Sequence, residues 1–400
     1  MVGYQEFVSL CQSPDSEDRG RAAHLSAIAY LNHHGPADEQ AALYAALIGF
    51  LDDPSVKVRA ALAYGLLHSS DAPRPIILAL LHDSAVIARA VLQYSPVLID
   101  ADLFGLVQSA EPGLLLAISE RDRISPRLAA ALVSCGDRPI TLRLLRRTEI
   151  DLPAPLLSNL AATHGDEAQF RGALLARDDL PADARLLLVQ KISAALRNCR
   201  VVKGSLATER LNRLLRNSED TAVSSIGERE AVAGPSNYVS ALVETSRINA
   251  RVLLHAMVTG HVMFFAACLA ELSDVPHAKV LAILERGSRP ALHALLSRCG
   301  LGQGVGNLLA RLVLHARATD LVDDAAARHY VVTALTEELI AEHAGVIPAE
   351  LEEAFAYLSE QNIPLARQAA RGVMAAFAEE ASLDRALPAP VVEPIALPAA

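Results

Sequence analysis

The sequence predicts an all-α protein: an α-solenoid of stacked helical repeats, with a second helical region in the C-terminal half. Two observations favour this class. Apolar residues make up 52% of the chain, while Trp is absent and aromatic residues reach only 4%, so the apolar content is mostly Ala and Leu. These two residues favour helices, whereas sheets are rich in Val, Ile and aromatic residues. Similar segments also recur along the chain, which is typical of helical repeats.

One recurrence pairs the segment DDPSVKVRAALAYGL with HDSAVIARAVLQYSP, which begins 30 residues later. In this pairing Asp53 matches Asp83, and Arg59 matches Arg89. Each copy has an Asp-led turn followed by an amphipathic helix. A lone helix of about ten residues is marginal in water, so each one is expected to pack on its neighbours. We therefore interpret these four residues as structural residues of the repeat.

A second phrase recurs at residues 121–133, 149–161 and 177–189, with an acidic turn, an aliphatic residue, a proline and a Leu- and Ala-rich helix. Asp, Pro, Ser and Gly breaks separate the helices elsewhere. In the first half the predicted helices are 19–31, 37–51, 56–67, 74–81, 85–94, 103–108, 114–120, 126–134 and 140–147. In the second half they are 238–258, 261–272, 276–285, 290–298, 307–318, 325–343, 348–358 and 363–382.

Changes in composition predict the domain organisation. Residues 202–237 are polar and rich in Ser, Gly and charged residues, which favours a linker with a short helix. The end of the chain is rich in Pro and Ala and is predicted to be disordered. The predicted segments are a lead (1–18), a helical repeat array (19–201), the linker (202–237), a C-terminal helical domain (238–386) and the tail (387–400).

The charge balance and the cysteines limit the expected partners and compartment. The formal net charge is −10, whereas general affinity for nucleic acid or anionic lipid needs a basic face. Nucleic acid is therefore not expected as a partner of the whole chain. The five cysteines lack paired spacing, which is typical of reduced thiols. With no secretory signal recognised, a cytoplasmic location is predicted.

Residues 252–272 are as long and nearly as apolar as a membrane span. They contain His255 and His261 near the middle, and such side chains are costly in hydrocarbon. Gly260, between the two histidines, favours a turn that joins two buried helices. We therefore predict that the chain has no membrane span.

Residues 191–216 depart from the acidic balance, because they contain seven Lys or Arg residues and one acidic residue, Glu209. Such a cluster would suit a phosphate-rich or acidic partner. The alternative is a set of solvated helix faces beside the linker, because few aromatic residues accompany the cations. The candidate interaction surface consists of Arg197, Arg200, Lys203, Arg210, Arg213 and Arg216.

No sequence pattern predicts a catalytic, cofactor-binding or metal-binding residue. Residues 300–306, GLGQGVG, have a spacing like that of a dinucleotide loop but follow a predicted helix, so a helix-ending turn is expected. The 13 histidines lack metal-site spacing, and no Ser or Cys lies in a nucleophile motif. A non-enzyme is therefore predicted. The alternative is a hydrolase or lyase near residues 255–306, using His255, His261 and His293.

Several segments resemble a known type of repeat protein. In HEAT-like repeats a turn Asp and a Val-Arg pair recur, as in Asp53 and Val58-Arg59 here; Ala88-Arg89 lacks the Val. The segments DDPSVKVRAALA, YSPVLIDADLFGLV, ARDDLPADARLLLV and GHVMFFAACLAELSDVPHAKVLAILERGSRPALHALLSRCGL are similar to an uncharacterised bacterial family of HEAT-like repeat proteins. The resemblance covers roughly residues 52–311. It implies an α-solenoid and supplies no activity.

These observations predict a non-catalytic scaffold or adaptor that binds another protein, because stacked helical repeats present extended surfaces. No cofactor is expected. The partner is expected to be acidic if residues 191–216 form the contact, and the sequence leaves self-association open. Two alternatives remain at this point: the enzyme near residues 255–306, and a nucleic-acid or phosphate binder that uses residues 191–216.

Overall fold

The structure is a computed structural model, and it describes residues 4–108, 111–234, 236–319, 321 and 324–385. Every regular element among these residues is helical, with 23 α-helices and one 3-10 helix. The predicted all-α class is therefore confirmed for the described part of the chain.

The chain divides into two compact units, unit 1 (Met1–Ala184) and unit 2 (Arg185–Ala400). Helix α13 (Ala182–Asn198) spans the division. The other helices described in unit 1 are α1 (Tyr4–Cys11), α2 (Ser16–Leu31), α3 (Ala37–Leu51), α4 (Val56–Leu66), α5 (Arg74–Leu81), α6 (Ala85–Tyr94), α7 (Asp100–Val107), α8 (Pro112–Ser119), α9 (Pro126–Ser134), α10 (Arg138–Arg146), α11 (Ala154–His164) and α12 (Ala168–Leu175).

The residues between these helices end one helix and also cap the start of the next. The Ser125 hydroxyl accepts a hydrogen bond from the backbone N–H of Leu128, and the Asp137 carboxylate accepts one from Ile140. Proline occupies the first turn of α5, α8, α9, α10 and α11, where a missing N–H breaks no helical hydrogen bond. Asp, Ser and Pro therefore set the short helix lengths of unit 1.

Helices of unit 1 pack in a regular order. Each even-numbered helix from α2 to α10 packs against the next even-numbered helix, and α3 packs against α5 and α7 against α9. The core between them is aliphatic: Leu62, Ile76, Leu92 and Leu132 are fully buried. Each short helix thus buries its apolar face against its neighbours along the chain, as its marginal stability in isolation requires.

The repeat residues form ion pairs between successive segments. The Arg59 guanidinium donates from Nε to Asp83 Oδ2 (2.6 Å) and from Nη2 to Asp83 Oδ1 (2.9 Å). Arg19 binds Asp53 in the same two-pronged way, at 2.8 and 3.1 Å. These arginines hold the pKa of both carboxyls below its usual range. Arg89, the sequence counterpart of Arg59, differs: it is exposed and forms no ion pair with a described residue.

A second type of contact recurs further along unit 1, in which an arginine binds backbone carbonyls of the preceding helical segment. Arg177 is 1% exposed. Its Nη1 donates to the carbonyls of Leu145 (3.3 Å) and Arg147 (3.0 Å), and its Nη2 donates to the carbonyl of Ile150 (2.6 Å). Asp179 accepts from Nε (2.8 Å) and Nη2 (2.6 Å). The guanidinium thus replaces lost water with hydrogen bonds to the segment before it.

Three further arginines make equivalent contacts, and with Arg177 we call them the carbonyl-binding arginines. They are Arg121 on Leu92 and Ser95, Arg147 on Ser119, Arg121 and Asp122, and, in unit 2, Arg317 on Ile283, Leu284 and Gly287. In unit 1 each one is followed, three residues later, by a buried aliphatic residue: Ile124, Ile150 and Leu180. Arg121 and Arg177 are the first residues of two copies of the second recurring phrase, whereas Arg147 lies two residues before the copy at 149–161.

Unit 2 has longer helices that pack less regularly. Helix α15 contacts α17 and α18, α17 contacts α21 and α23, and α22 lies along α23. After α13 its described elements are α14 (Arg200–Ser205), α15 (Thr208–Ala233), α16 (Tyr238–Glu244), α17 (Ala250–Val258), α18 (Val262–Ser273), α19 (His277–Arg286), α20 (Arg289–Arg298), α21 (Gln303–Ala316), α22 (Ala325–Glu342), a 3-10 helix (Ala349–Leu351) and α23 (Glu352–Arg385).

Residues 202–237, predicted to be a polar linker with a short helix, contain the 26-residue helix α15. Its apolar stripe continues through the polar sequence, because Leu211, Leu215, Val223 and Ile226 are all buried. Gly227 serves packing, since a Cβ there would lie 2.1 Å from the Phe264 ring. Ser224 and Gly227, two of the residues that suggested a loop, therefore lie on the buried face of a helix.

Other predicted boundaries also differ. The predicted lead, residues 1–18, includes α1 and the start of α2, and predicted helix 238–258 is two helices, α16 and α17. Predicted helices 348–358 and 363–382 are replaced by the 3-10 helix and by the 34-residue α23, which contains Pro364. The predicted tail, 387–400, lies outside the described residues.

Gly260 has a φ of +82° and forms the turn between α17 and α18, as predicted. This turn divides the apolar residues 252–272 into two short buried helices. In the part of the chain that the structure describes, no helix combines the length and the apolar character needed to cross a membrane.

We predict that Arg177→Ala lowers the free energy of unfolding by about 3 kcal/mol, because three carbonyls and a carboxylate lose a buried partner. Urea denaturation followed by circular dichroism measures this loss. Arg127→Ala is the matched control, since Arg127 is exposed in the same unit; its effect should stay within about 0.5 kcal/mol. Equal stability of the two variants would contradict a structural role for Arg177.

Candidate interaction surfaces and a buried polar cluster

Unit 1 contains a groove of about 940 Å³. It is lined by residues of four even-numbered helices, α6, α8, α10 and α12, or of the segments directly after or before them. Each of these helices packs against the next, so the groove crosses a continuous layer of helices. We call it the unit 1 groove.

The unit 1 groove has an apolar base and a charged rim. Leu142 and Phe170 form the base, and Phe170 is almost fully buried. The Arg138 guanidinium lies 5.7 Å from the centre of the Phe170 ring, and His164 stacks on that ring at 4.6 Å. An arginine over an aromatic face gains cation–π attraction, and Arg138 also pairs with Glu167, so two contacts restrain this part of the rim.

The arginines on the rim differ in what they already bind. Arg138 pairs with Glu167, and Arg143 pairs with Glu120. Arg146 is exposed and forms no ion pair or hydrogen bond with a described residue. A carboxylate of a partner could therefore pair with Arg146 without displacing an internal contact.

Unit 2 carries the residues that the sequence predicted as an interaction surface, and we call these six side chains the cationic surface. All six are exposed, and they lie on the end of α13, on α14 and on the first turns of α15. Arg197 lies 3.6 Å from Glu219, and Arg216 lies 3.6 Å from Glu360. The other four form no ion pair with a described residue: Arg200, Lys203, Arg210 and Arg213.

Aliphatic side chains are exposed among these cations. Val201 is 75% exposed, Leu214 49% and Leu196 39%. On α15, Leu211 and Leu215 are buried, whereas Leu214 lies beside this stripe and is half exposed. The cationic surface is therefore mixed in character, with charge and apolar area side by side.

A buried polar cluster joins three helices in the interior of unit 2. Its centre is Arg251 of α17, which is 6% exposed. Arg251 Nε donates to Asp220 Oδ2 of α15 (2.6 Å), and Nη2 donates to Glu360 Oε2 of α23 (2.9 Å) and to the side chain of Asn217. Its guanidinium also lies 5.2 Å from the ring centre of Tyr357. Two carboxylates therefore balance one buried cation.

His255, one turn after Arg251, extends this cluster. It is 4% exposed; its Nδ1 lies 3.1 Å from the Tyr357 hydroxyl and its Nε2 lies 3.2 Å from the Thr221 hydroxyl. Burial lowers the pKa of His255 to about 4, so the ring is neutral at physiological pH. Both ring nitrogens have partners, and the side chain is closed to solvent. These contacts are those of a structural histidine.

Four residues of the cluster were not predicted from the sequence: Asp220, Arg251, Tyr357 and Glu360. The Arg251–Glu360 contact joins residues 109 positions apart, and no local spacing encodes such a pairing. One signal was present: Arg251 directly precedes the apolar run VLLHAMV. A charged residue beside such a run indicates a buried ion pair, because an unpaired charge would be too costly there.

A family model described as an uncharacterised protein conserved in bacteria, DUF2336, matches residues 87–349 of the chain. This range is more than half of its length. The chain belongs to the DUF2336 family. The predicted membership of an uncharacterised bacterial family is thus confirmed, although the match begins later and ends later than the resemblance over residues 52–311 suggested. No curated protein matches the chain.

The family match includes residues 255–306, the region of the alternative enzymatic site. There the DUF2336 chain does not bring the three histidines into one polar group: His255 is buried, His261 Nδ1 lies 2.8 Å from the Thr259 hydroxyl, and His293 is exposed on α20. Burial raises the pKa of Cys299 to about 11, which disfavours a thiolate nucleophile. Among the described residues, no cluster of His, Cys, Asp or Glu could hold a metal ion.

The glycine-rich segment of the DUF2336 chain joins two helices. Gly300 has a φ of +72° and follows α20, and Gly302 precedes α21. The predicted helix-ending turn is therefore confirmed. A Cβ on Gly304 would lie 2.5 Å from the Glu350 carboxylate, so this glycine allows the 3-10 helix to approach α21.

We predict that His255→Gln reduces the acid sensitivity of the protein. The folded pKa of about 4 lies below the ordinary histidine value of 6.5, so the unfolded chain binds more protons between these values. The stability from this residue is therefore complete above about pH 6.5 and declines as the pH falls towards 4. Between about pH 7.5 and pH 5, this residue should account for a loss of about 2 kcal/mol.

Urea denaturation at both pH values measures the effect, and the variant should lack this part of the decline. The control is His293→Gln, at an exposed position in the same unit, which should keep the decline of the unmodified protein. If His255→Gln shows the same decline in stability as the pH falls, His255 is not the group that titrates.

Proposed function

We propose that this DUF2336 protein is a non-catalytic scaffold that binds another protein through a solenoid of HEAT-like helical repeats in unit 1. The observation that carries the proposal is the unit 1 groove, which crosses four successive even-numbered helices and has an apolar base and a charged rim. Stacked helical repeats bind partners through extended surfaces of this kind.

Two sets of contacts support the repeat interpretation. The even-numbered helices pack in sequence, and the carbonyl-binding arginines link each segment to the one before it. Both contacts join near neighbours along the chain, as a one-dimensional stack of repeats requires. The Arg59–Asp83 pair adds support for the HEAT-like type, because both residues come from the recurring segment.

The groove favours an extended partner segment with at least one acidic side chain. Arg146 supplies an unpaired cation, and Gln93 and Gln169 supply amides that can both donate to and accept from a peptide backbone. Leu142 offers apolar area between these polar groups, whereas the Phe170 ring is almost fully buried and offers little. A segment that combines an acidic and an apolar residue would use all three types of contact.

A second candidate function is the binding of a phosphate-rich or nucleic-acid partner through residues 191–216. It is favoured by the exposure of all six side chains of the cationic surface. The segment contains no aromatic residue, which removes the stacking that single-stranded nucleic acid uses.

The enzymatic alternative has less support. Of the three histidines that suggested it, His255 is closed to solvent and has structural partners on both ring nitrogens. The cytoplasm is the proposed location. Five free cysteines, of which Cys135 is exposed, fit a reducing compartment.

We predict that Arg146→Glu disrupts partner binding. Crosslinking and mass spectrometry in native lysate should recover a partner linked to residues of the unit 1 groove with the unmodified protein. Charge reversal at the groove should reduce this recovery by about tenfold or more, because an acidic segment would then face a carboxylate.

The matched control for this experiment is Arg127→Glu, which makes the same charge change at an exposed position of unit 1 outside the groove. It should recover the partner as well as the unmodified protein does. No partner above a bait-free control, or equal loss in both variants, would count against the scaffold proposal.

A further inference from the structure

We propose that the cationic surface docks the protein onto an anionic lipid bilayer. The binding mode is peripheral: the cations pair with lipid headgroups, and the exposed aliphatic side chains enter the interfacial layer. The proposal is independent of the unit 1 groove, so one protein could bind a protein partner and a bilayer with different units.

The first support is local charge. Residues 191–216 contain seven cations and one acidic residue, although the whole chain has a net charge of −10. At physiological ionic strength charges are screened over about 8 Å, so a bilayer in contact with this segment is affected mainly by the nearby cations. The acidic balance of the rest of the chain therefore does not prevent binding here.

The second support is that the cations form one surface. The Arg197–Glu219 ion pair, at 3.6 Å, brings the end of α13 against α15. Helix α14 joins these two helices and carries Arg200 and Lys203. Arg200, Lys203, Arg210 and Arg213 are exposed and form no ion pair with a described residue, so their charge is available to an external anion.

The third support is the aliphatic area among the cations. Val201, Leu214 and Leu196 are exposed between 39% and 75%, and a phosphate backbone offers such side chains no contact. A bilayer interface accommodates both the cations and the aliphatic side chains. Surface-bound amphipathic helices place Lys and Arg at the headgroups and aliphatic residues deeper. The combination therefore favours lipid over nucleic acid.

The shape of the surface favours a bilayer over an acidic protein. Two grooves of unit 2 lie away from these residues, one beside Gly260 and α21 and one beside α16 and α18. Residues 191–216 include no aromatic residue, and so lack Trp and Tyr, two of the three residues that most often anchor protein interfaces. A surface of exposed Arg, Lys, Val and Leu suits a broad, featureless partner.

The test is a sedimentation assay of the full chain with vesicles. Vesicles of phosphatidylcholine with about 30% phosphatidylglycerol should bind the protein, whereas vesicles of phosphatidylcholine alone should not, because polybasic surfaces respond to anionic lipid. Raising the salt from about 0.1 M to about 0.5 M should weaken binding to the anionic vesicles.

Two variants test the two parts of the surface. Arg200→Gln/Arg210→Gln/Arg213→Gln should weaken vesicle binding by about tenfold or more. Arg127→Gln/Arg289→Gln/Arg298→Gln makes the same charge change at exposed arginines elsewhere and should bind normally. Val201→Ser/Leu214→Ser keeps the charge and should weaken binding severalfold. Circular dichroism checks that each variant is folded.

Each other outcome overturns the proposal. It is wrong if the protein does not bind anionic vesicles, or if the patch and control variants bind equally. It is also wrong if duplex DNA or an acidic protein such as polyglutamate binds more tightly than the vesicles and Val201→Ser/Leu214→Ser leaves that binding unchanged. In that case charge alone is recognised, and the partner is a soluble polyanion.

Discussion

Hydrogen bonds from arginine side chains to carbonyls of the preceding segment fix the second half of unit 1. A guanidinium as buried as that of Arg177 loses its hydration, and it is stable only where nearly every N–H finds an acceptor. Leu145, Arg147, Ile150 and Asp179 supply those acceptors. The acceptors must therefore stay in register with the arginine. Because the unit 1 groove crosses the helices held in this way, its shape depends on the same contacts.

In unit 2 the buried guanidinium of Arg251 is satisfied by side chains, whereas the guanidinium of Arg317 binds backbone carbonyls. Arg251 binds Asp220 on α15 and Glu360 on α23, and His255 binds Thr221 and the Tyr357 hydroxyl beside it. The inner face of α15 is thereby fixed to two other helices. Its outer face carries part of the cationic surface, so those cations are presented by a helix that is anchored in the core. A preorganised surface loses less conformational entropy when a partner binds.

Local features of the fold could be predicted from the sequence, and long-range ones could not. Helices α3, α5, α6 and α9 have the predicted bounds, because proline, Asp and Ser at their starts act locally. The 26-residue α15 was missed because its Ser and Gly residues suggested a loop, while Val223 and Ile226 continued the buried stripe. The groove and the Arg251 cluster depend on residues from several helices, and a single sequence carries no record of such pairings. The cationic side chains could be predicted, because a cluster of Lys and Arg can be seen in the sequence without knowing which residues contact one another.

The carbonyl-binding arginines bind a segment that comes earlier in the chain. This arrangement limits how the lengths of related chains can differ. The carbonyls that each of these arginines binds belong to the segment directly before it, so each set of carbonyl contacts joins two neighbouring segments. Gain or loss of a whole pair of helices would leave the other arginine–carbonyl contacts intact. Insertion or deletion of a few residues within a pair would move a guanidinium away from its acceptors. Family members should therefore differ in length by complete pairs of helices.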